Sequence, residues 1–169
     1  MKLPQEFIII DIETTGFNPQ SDHILEIAAI KIKDNQITDV FCELINPNVL
    51  IPPFITSLTG ICNNLVKNAK KLDEVLNNFL LFISNQVLMG HNIRFDMSFL
   101  KLKIYNNLGI NIVNQTLDTI LIAKRSKHNF VNHKLQTLAK HFNIEQNKAH
   151  RALDDCYTTY FVYKKLIEE

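Results

Sequence analysis

The chain has 169 residues, 18 Lys and Arg against 17 Asp and Glu, and a formal net charge of +1. That length suits one domain, residues 1–169, able to bury ~70% of its unfolded surface without a disulfide or structural metal. Three cysteines with no C-x-x-C spacing exclude the common zinc and redox motifs, and free thiols suit a reducing cytosol. The opening "MKLPQEFIIIDIE" has too short an apolar run for a signal peptide or a membrane span. The expected location is therefore cytoplasmic, away from membranes.

The first element is a strand over Phe7–Ile12, rich in β-branched and aromatic residues and closed by a Thr-Thr-Gly turn. Side chains alternate faces with period two, so Phe7, Ile9, Asp11 and Glu13 share one face and Ile8, Ile10 and Ile12 the other. Both faces begin apolar, as in a strand covered on both sides. "HILEIAAIKI" and "ITDVFCELIN" predict two more strands, joined by the turn "KDNQ" into an antiparallel meander. "PNVLIPPFITSLTGI" reads as a Pro-containing loop. Leu72–Ser84 carries apolar residues at helical spacing. "VLMGHN" predicts a short strand, Arg94–Asn107 a helix, and "NQTLDTILIAKR" a segment that begins extended and becomes helical. His133–Phe142 and the stretch from Arg151 onward predict the last two helices. Strands first, then alternating helix and strand, give an α/β domain with a mixed sheet.

Acids mark three places in this order: Asp11 and Glu13 at the end of the first strand, Asp96 in "GHNIRFD", and "HRALDD" from His150 to Asp155. Taken singly, each has an ordinary structural reading: a hydrated strand end, an acid favouring a helix dipole, and a surface loop leading into a helix. On the last helix Asp155 aligns with Thr159, Val162 and Leu166, so it faces the domain. Asp154 aligns with Thr158, Phe161 and Lys165 and meets water. His150 and Asp155 would stand ~140° apart within one helix. They share a site only if His150 sits in the loop before it. Between Arg94 and Arg151 basic residues outnumber acids; Lys101, Lys103, Lys124, Arg125, Lys127, Lys134, Lys140 and Lys148 face Asp96, Asp118 and Glu145. Such an excess is either a footprint for a polyanion or an ordinary solvated face.

The series Asp-x-Glu, His-Asn-x-x-Phe-Asp and His-x-x-x-x-Asp resembles the DEDDh exonucleases, the DnaQ-type branch of the RNase H-like superfamily, over nearly the whole chain. "DIETTGF" and "SLTGI" look most like the proofreading exonucleases of bacterial DNA polymerase III, in the epsilon subunit or the PolC-type polymerase. The resemblance implies an RNase H-like fold with a mixed, mostly five-stranded sheet flanked by helices. It implies metal-dependent 3′→5′ hydrolysis from a single-stranded DNA 3′ end, releasing nucleoside 5′-monophosphates with two Mg²⁺ or Mn²⁺ ions. Asp11 would bridge both ions, Glu13 and Asp155 would hold the nucleophile-side ion, Asp96 would complete the other shell, and His150 would be general base. Less directly, Thr14, Thr15 and Gly16 would bring backbone amides to the terminal nucleotide. Leu58 and Thr59 would pack on its base with Phe95 nearby, Asn92 would make a polar contact, and His91 would pair with Asp118.

The five site residues do not separate DNA from RNA, so an exoribonuclease similar to oligoribonuclease or RNase T stands beside this reading, although "DIETTG" leans towards DNA. A non-catalytic nucleic-acid-binding or polymerase-scaffolding module is the alternative of another class; it predicts loss of at least one ligand, and all five are present. As partner the resemblance implies a DNA polymerase III catalytic subunit. Epsilon subunits carry a further C-terminal tail, whereas the last helix here runs to Glu169; the expectation is a chain that acts alone, a trimmed exonuclease domain, or one that docks through its folded surface, and the first two imply a monomer active alone.

Overall fold

The computed structural model describes residues 4–146 and 150–168; Lys148 and Glu169 lie outside that range. Strand β1 (Glu6–Thr14) runs antiparallel to β2 (Ile24–Lys33), which runs antiparallel to β3 (Gln36–Leu44). The β2–β3 turn places Asp34 and Asn35 at φ of 50° and 59°, the left-handed conformation that tight hairpins require and that Asp and Asn tolerate. On its other side β1 pairs in parallel with β4 (Leu88–Gly90), and β4 with β5 (Thr116–Asp118). The sheet order is β3-β2-β1-β4-β5, the expected five-stranded mixed sheet.

The two faces of β1 divide as their alternation predicts. Ile8, Ile10 and Ile12 pack with α3 (Leu72–Ile83) and α4 (Ile93–Leu108). Phe7 and Ile9 pack with α7 (Ala152–Ile167) through Cys156, Tyr160 and Tyr163. Helices α5 (Thr119–Arg125) and α6 (Leu135–His141) lie against α7 through Ala123, Leu135, Leu138, Val162 and Leu166. Among the described residues, no helix is long and apolar enough to cross a membrane.

One expectation is corrected. The Pro-containing loop holds a helix, α1 (Pro53–Thr59), and a second short helix, α2 (Asn63–Val66), follows it. Pro53 starts α1 where a missing N–H costs nothing, and Gly60 at φ 73° ends it. Ile55, Ile61 and Val66 gather with Leu25 and Ile51 in a small separate core.

Sheet geometry leaves an opening at the end of β1. Strand β4 pairs with Ile8 and Ile9 only, so residues 10–14 of β1 run on past it. The N-terminus of α4 fills that space. Gly90 permits this approach, since a Cβ there would meet the Ile93 side chain at 3.1 Å and the Ile10 carbonyl at 3.2 Å. The N-terminal turns of α4 and α7 thus meet the carboxyl end of β1 from opposite faces of the sheet.

Candidate active site

Asp11 and Glu13 lie on the β1 face that α7 covers, and Asp155 comes from the first turn of α7. One carboxylate oxygen from each of these three lies within 4.8 Å of the other two. Asp155 is 6% exposed. Its Oδ2 accepts a hydrogen bond from the His150 amide at 3.1 Å, while its Oδ1 is buried with no hydrogen-bond partner. Asp96, 3% exposed, arrives from the other face, where its Oδ1 accepts from the Ile12 amide at 3.0 Å. His150 does sit in the loop before α7, at φ 62°. That left-handed turn lets it share a cleft of about 590 Å³ with Asp11, Asp155, Asn92, Lys124 and Lys134.

All four carboxyl groups resist ionisation. Burial, then the charges of Asp96, Asp155 and Glu13, hold Asp11 well above the usual carboxylate range. Burial and the Asp155 charge push Glu13 up to about 8. Burial pushes Asp96 up to about 8 against the opposing hydrogen bond from Ile12. Burial pushes Asp155 up to about 6, and the His150 amide works the other way. Such a group is costly to ionise unless a cation joins it. The donors are hard oxygens, which suit Mg²⁺ or Mn²⁺, and the orphaned Asp155 Oδ1 is an acceptor that such an ion would satisfy. No thiolate competes: Cys156 Sγ faces the carbonyls of Ile9 and Ala28, and burial drives its pKa up. The residues present fit a hard divalent cation.

This electrostatic arrangement gives stability a definite pH dependence. Glu13 moves from 4.5 unfolded to about 8 folded, so the folded chain keeps a proton that the unfolded chain has lost. The corresponding stability is fully present below about pH 4.5 and is lost as pH rises through about 8. In EDTA the melting temperature is expected to fall across that window. Added Mn²⁺ should restore it, most strongly at the alkaline end. A flat or rising melting temperature in EDTA, by calorimetry, would contradict this electrostatic picture.

The other expected residues divide. Phe95 packs on Phe99 and, at 6.3 Å between ring centroids, on Phe17, which is 76% exposed. Leu58 is exposed, but Thr59 is buried: its hydroxyl donates to the Ile55 carbonyl and accepts from the Ile61 amide, so it closes α1 and offers nothing to a base. Thr15 is also committed to structure. Its amide donates to the His23 carbonyl and its hydroxyl accepts from the His23 amide. The Thr14 hydroxyl donates to the Gly16 carbonyl. A Cβ at position 16 would lie 2.5 Å from the Asp22 carboxylate, so a larger residue there would make the Asp22 side chain shift.

His91 does not bond to Asp118. Its ring nitrogens meet the Thr119 hydroxyl at 2.9 Å and the His133 carbonyl at 2.8 Å. Burial lowers its pKa, so the neutral ring donates from Nε2 to the carbonyl and accepts at Nδ1 from Thr119. Asp118 instead accepts from the amides of Asn92 and Ile120, fixing Asn92 in its left-handed turn and capping α5. Two further residues beside the site, Glu26 and Arg151, were not anticipated. The alternation of "ILEIAAIKIK" offered a signal, a lone acid inside a strand buried on both faces.

A family model described as Exonuclease matches residues 8–163. The PolC-type DNA polymerase III of Caldanaerobacter subterraneus subsp. tengcongensis is 41% identical over 167 residues, which is 99% of this chain and 12% of that polymerase. The 3′-5′ exonuclease DinG of Bacillus subtilis is 34% identical over 167 residues, 98% of this chain and 18% of DinG. The chain thus spans a small part of these relatives' length. Among solved structures, E. coli exonuclease I in complex with a dA16 oligonucleotide matches with a TM-score of 0.83 at 21% identity, over 98% of this chain and 41% of that one. Exonuclease X in complex with 5′ overhanging duplex DNA matches with a TM-score of 0.78 at 22% identity, over 96% and 91%. At these identities the two structures establish the shared fold.

Proposed function

The chain belongs to the exonuclease family, and from that premise we propose that it removes nucleotides from the 3′ end of single-stranded DNA, releasing nucleoside 5′-monophosphates. One observation carries the reading. Carboxylate oxygens of Asp11, Glu13 and Asp155 converge within 4.8 Å, at a cleft that His150 also lines.

Asp11, Glu13 and Asp155 would hold divalent cations, with Asp96 completing the set from the opposite face. Two Mg²⁺ or Mn²⁺ ions held there would supply neutralisation of the phosphodiester charge and a more acidic water. The chain's own residues do the rest. The sheet holds Asp11 and Glu13 still, so charge stabilisation needs little reorganisation during reaction. His150 accepts the proton of the attacking water, a task that suits an imidazole. Phe17 and Phe95 offer aromatic faces at the turn after β1, and stacking on such faces tolerates any base. Lys124 and Lys134 place positive charge on the cleft wall towards the phosphates.

DNA is favoured over RNA because the similar proteins include DNA polymerases and a DinG exonuclease. Acting at the end that a polymerase extends, the activity would serve proofreading or DNA degradation. A DNA polymerase III catalytic subunit is the partner that the PolC-type relatives suggest. The test is a panel of matched single-stranded DNA and RNA oligomers with Mn²⁺. Faster shortening of DNA, with 5′-mononucleotides as product, is the expected result. Preference for RNA would move the assignment to an exoribonuclease, and binding without cleavage would leave a nucleic-acid-binding module.

A further inference from the structure

Glu26 sits on β2 directly opposite Glu13 in the strand pairing and is 1% exposed. Both its oxygens are engaged by the chain that leads into α7. Oε1 accepts from Arg151 Nη2 at 2.6 Å, and Oε2 accepts from Arg151 Nε at 3.1 Å and from the Ala152 amide at 2.9 Å. Arg151 is the N-cap residue of α7 and makes no side-chain cap of its own. A carboxylate from a strand 126 residues earlier therefore caps the helix.

The ordinary reading of a buried ion pair is stability, and the physical chemistry speaks against it as the main role. Desolvating two charges roughly cancels their attraction. Helix α7 is already docked by an apolar seam, Ala152, Cys156, Tyr160 and Tyr163 against Phe7, Ile9, Ala28, Ile30 and Ile32. That seam is non-directional. It holds the helix from Ala152 onward and does not reach Arg151 or His150, which departs at φ 62°. A two-bond fork between a guanidinium and a carboxylate is directional and fixes Arg151.

We propose that Glu26 is a positioning residue that, by gripping Arg151 and the Ala152 amide, sets the first turn of α7 so that His150 and Asp155 face Asp11 and Glu13. This deepens the exonuclease reading and rests on it for the meaning of the site, but not for its test. Strand β1 carries two of the site's acids, α7 a third, and the loop before α7 the base; Glu26, on the neighbouring strand, is a directional tie to that loop. The pair also balances its own charge, since Glu26 raises the Glu13 pKa and Arg151 lowers it.

The test compares the wild-type chain with Glu26→Gln and Arg151→Lys. Glutamine keeps the volume but turns an N–H towards the guanidinium; lysine keeps the charge but loses the fork. Three readouts are taken: calorimetric titration with Mn²⁺, the NMR signals of the His150 ring in metal-free protein, and kcat and KM on a single-stranded oligonucleotide. Both variants are expected to stay folded, to bind Mn²⁺ ~10-fold or more weakly, and to lose kcat by ~10–100-fold with KM little changed, the range typical when a group that orients metal ligands is removed. The His150 signals should move before any metal is added, and lysine should not rescue. Wild-type Mn²⁺ affinity with unmoved His150 signals in both variants would overturn the proposal. So would unfolding of both, which would make the pair a prop of the fold. If the wild-type chain cuts no nucleic acid, the exonuclease reading fails, and the titration and NMR arms still decide this one.

Discussion

Asp11→Asn is expected to slow nucleotide release by ~10³-fold or more, about 4 kcal/mol of barrier at ~1.4 kcal/mol per decade. Asparagine fits the same space but brings no charge. Asp11 stands where the influence of Asp96, Asp155 and Glu13 meets, so its loss weakens the whole cation site. The same substitution relieves repulsion in the metal-free protein. Its melting temperature in EDTA, at the alkaline end of the range, should therefore equal or exceed that of the wild type. A variant that is more stable and inactive separates chemistry from folding, as expected where a site holds strained charge. Near-wild-type turnover with folding intact would remove Asp11 from the chemistry.

The second large effect divides two neighbours. Asp155→Ala is expected to abolish most activity, because it removes both the orphaned Oδ1 and the acceptor that holds the His150 amide. Asp154→Ala should keep most activity, since its side chain is not among those that converge. His150→Ala should lose ~10²-fold or more, within the range for a general base, and with it the limb of the pH–rate profile that rises with pH. The profile must be taken at saturating Mn²⁺, because with no cation bound Glu13 and Asp155, pushed up to about 8 and about 6, would add limbs of their own. A limb that survives unchanged in the His150 variant would assign proton removal to another group.

The legible part of this protein was the part written in local periodicity. The alternation from Phe7 to Glu13 placed Asp11 and Glu13 on one face with Phe7 and Ile9, which is the face α7 covers, and the stripe from Asp155 to Leu166 told Asp155 from Asp154. What stayed hidden depended on contacts far apart in sequence. Glu26 and Arg151 are 125 positions apart, and no local pattern pairs them. The His91 ring was expected beside Asp118, but the His133 carbonyl, 42 residues on, claims one ring nitrogen. Helix α1 was hidden for a different reason. Consecutive prolines suggested a loop, whereas Pro53 at the first helical position and Gly60 after the last are the start and stop of a short helix.

The most direct measurement of the central claim follows a 3′-end-labelled single strand and a circular single strand of the same sequence, with Mn²⁺ and with EDTA. Labelled 5′-mononucleotide should appear from the linear strand in Mn²⁺ at the earliest times, with the circle intact and no release in EDTA. Cutting of the circle, or release that persists in EDTA, would contradict a cation-dependent exonuclease built on these four carboxylates.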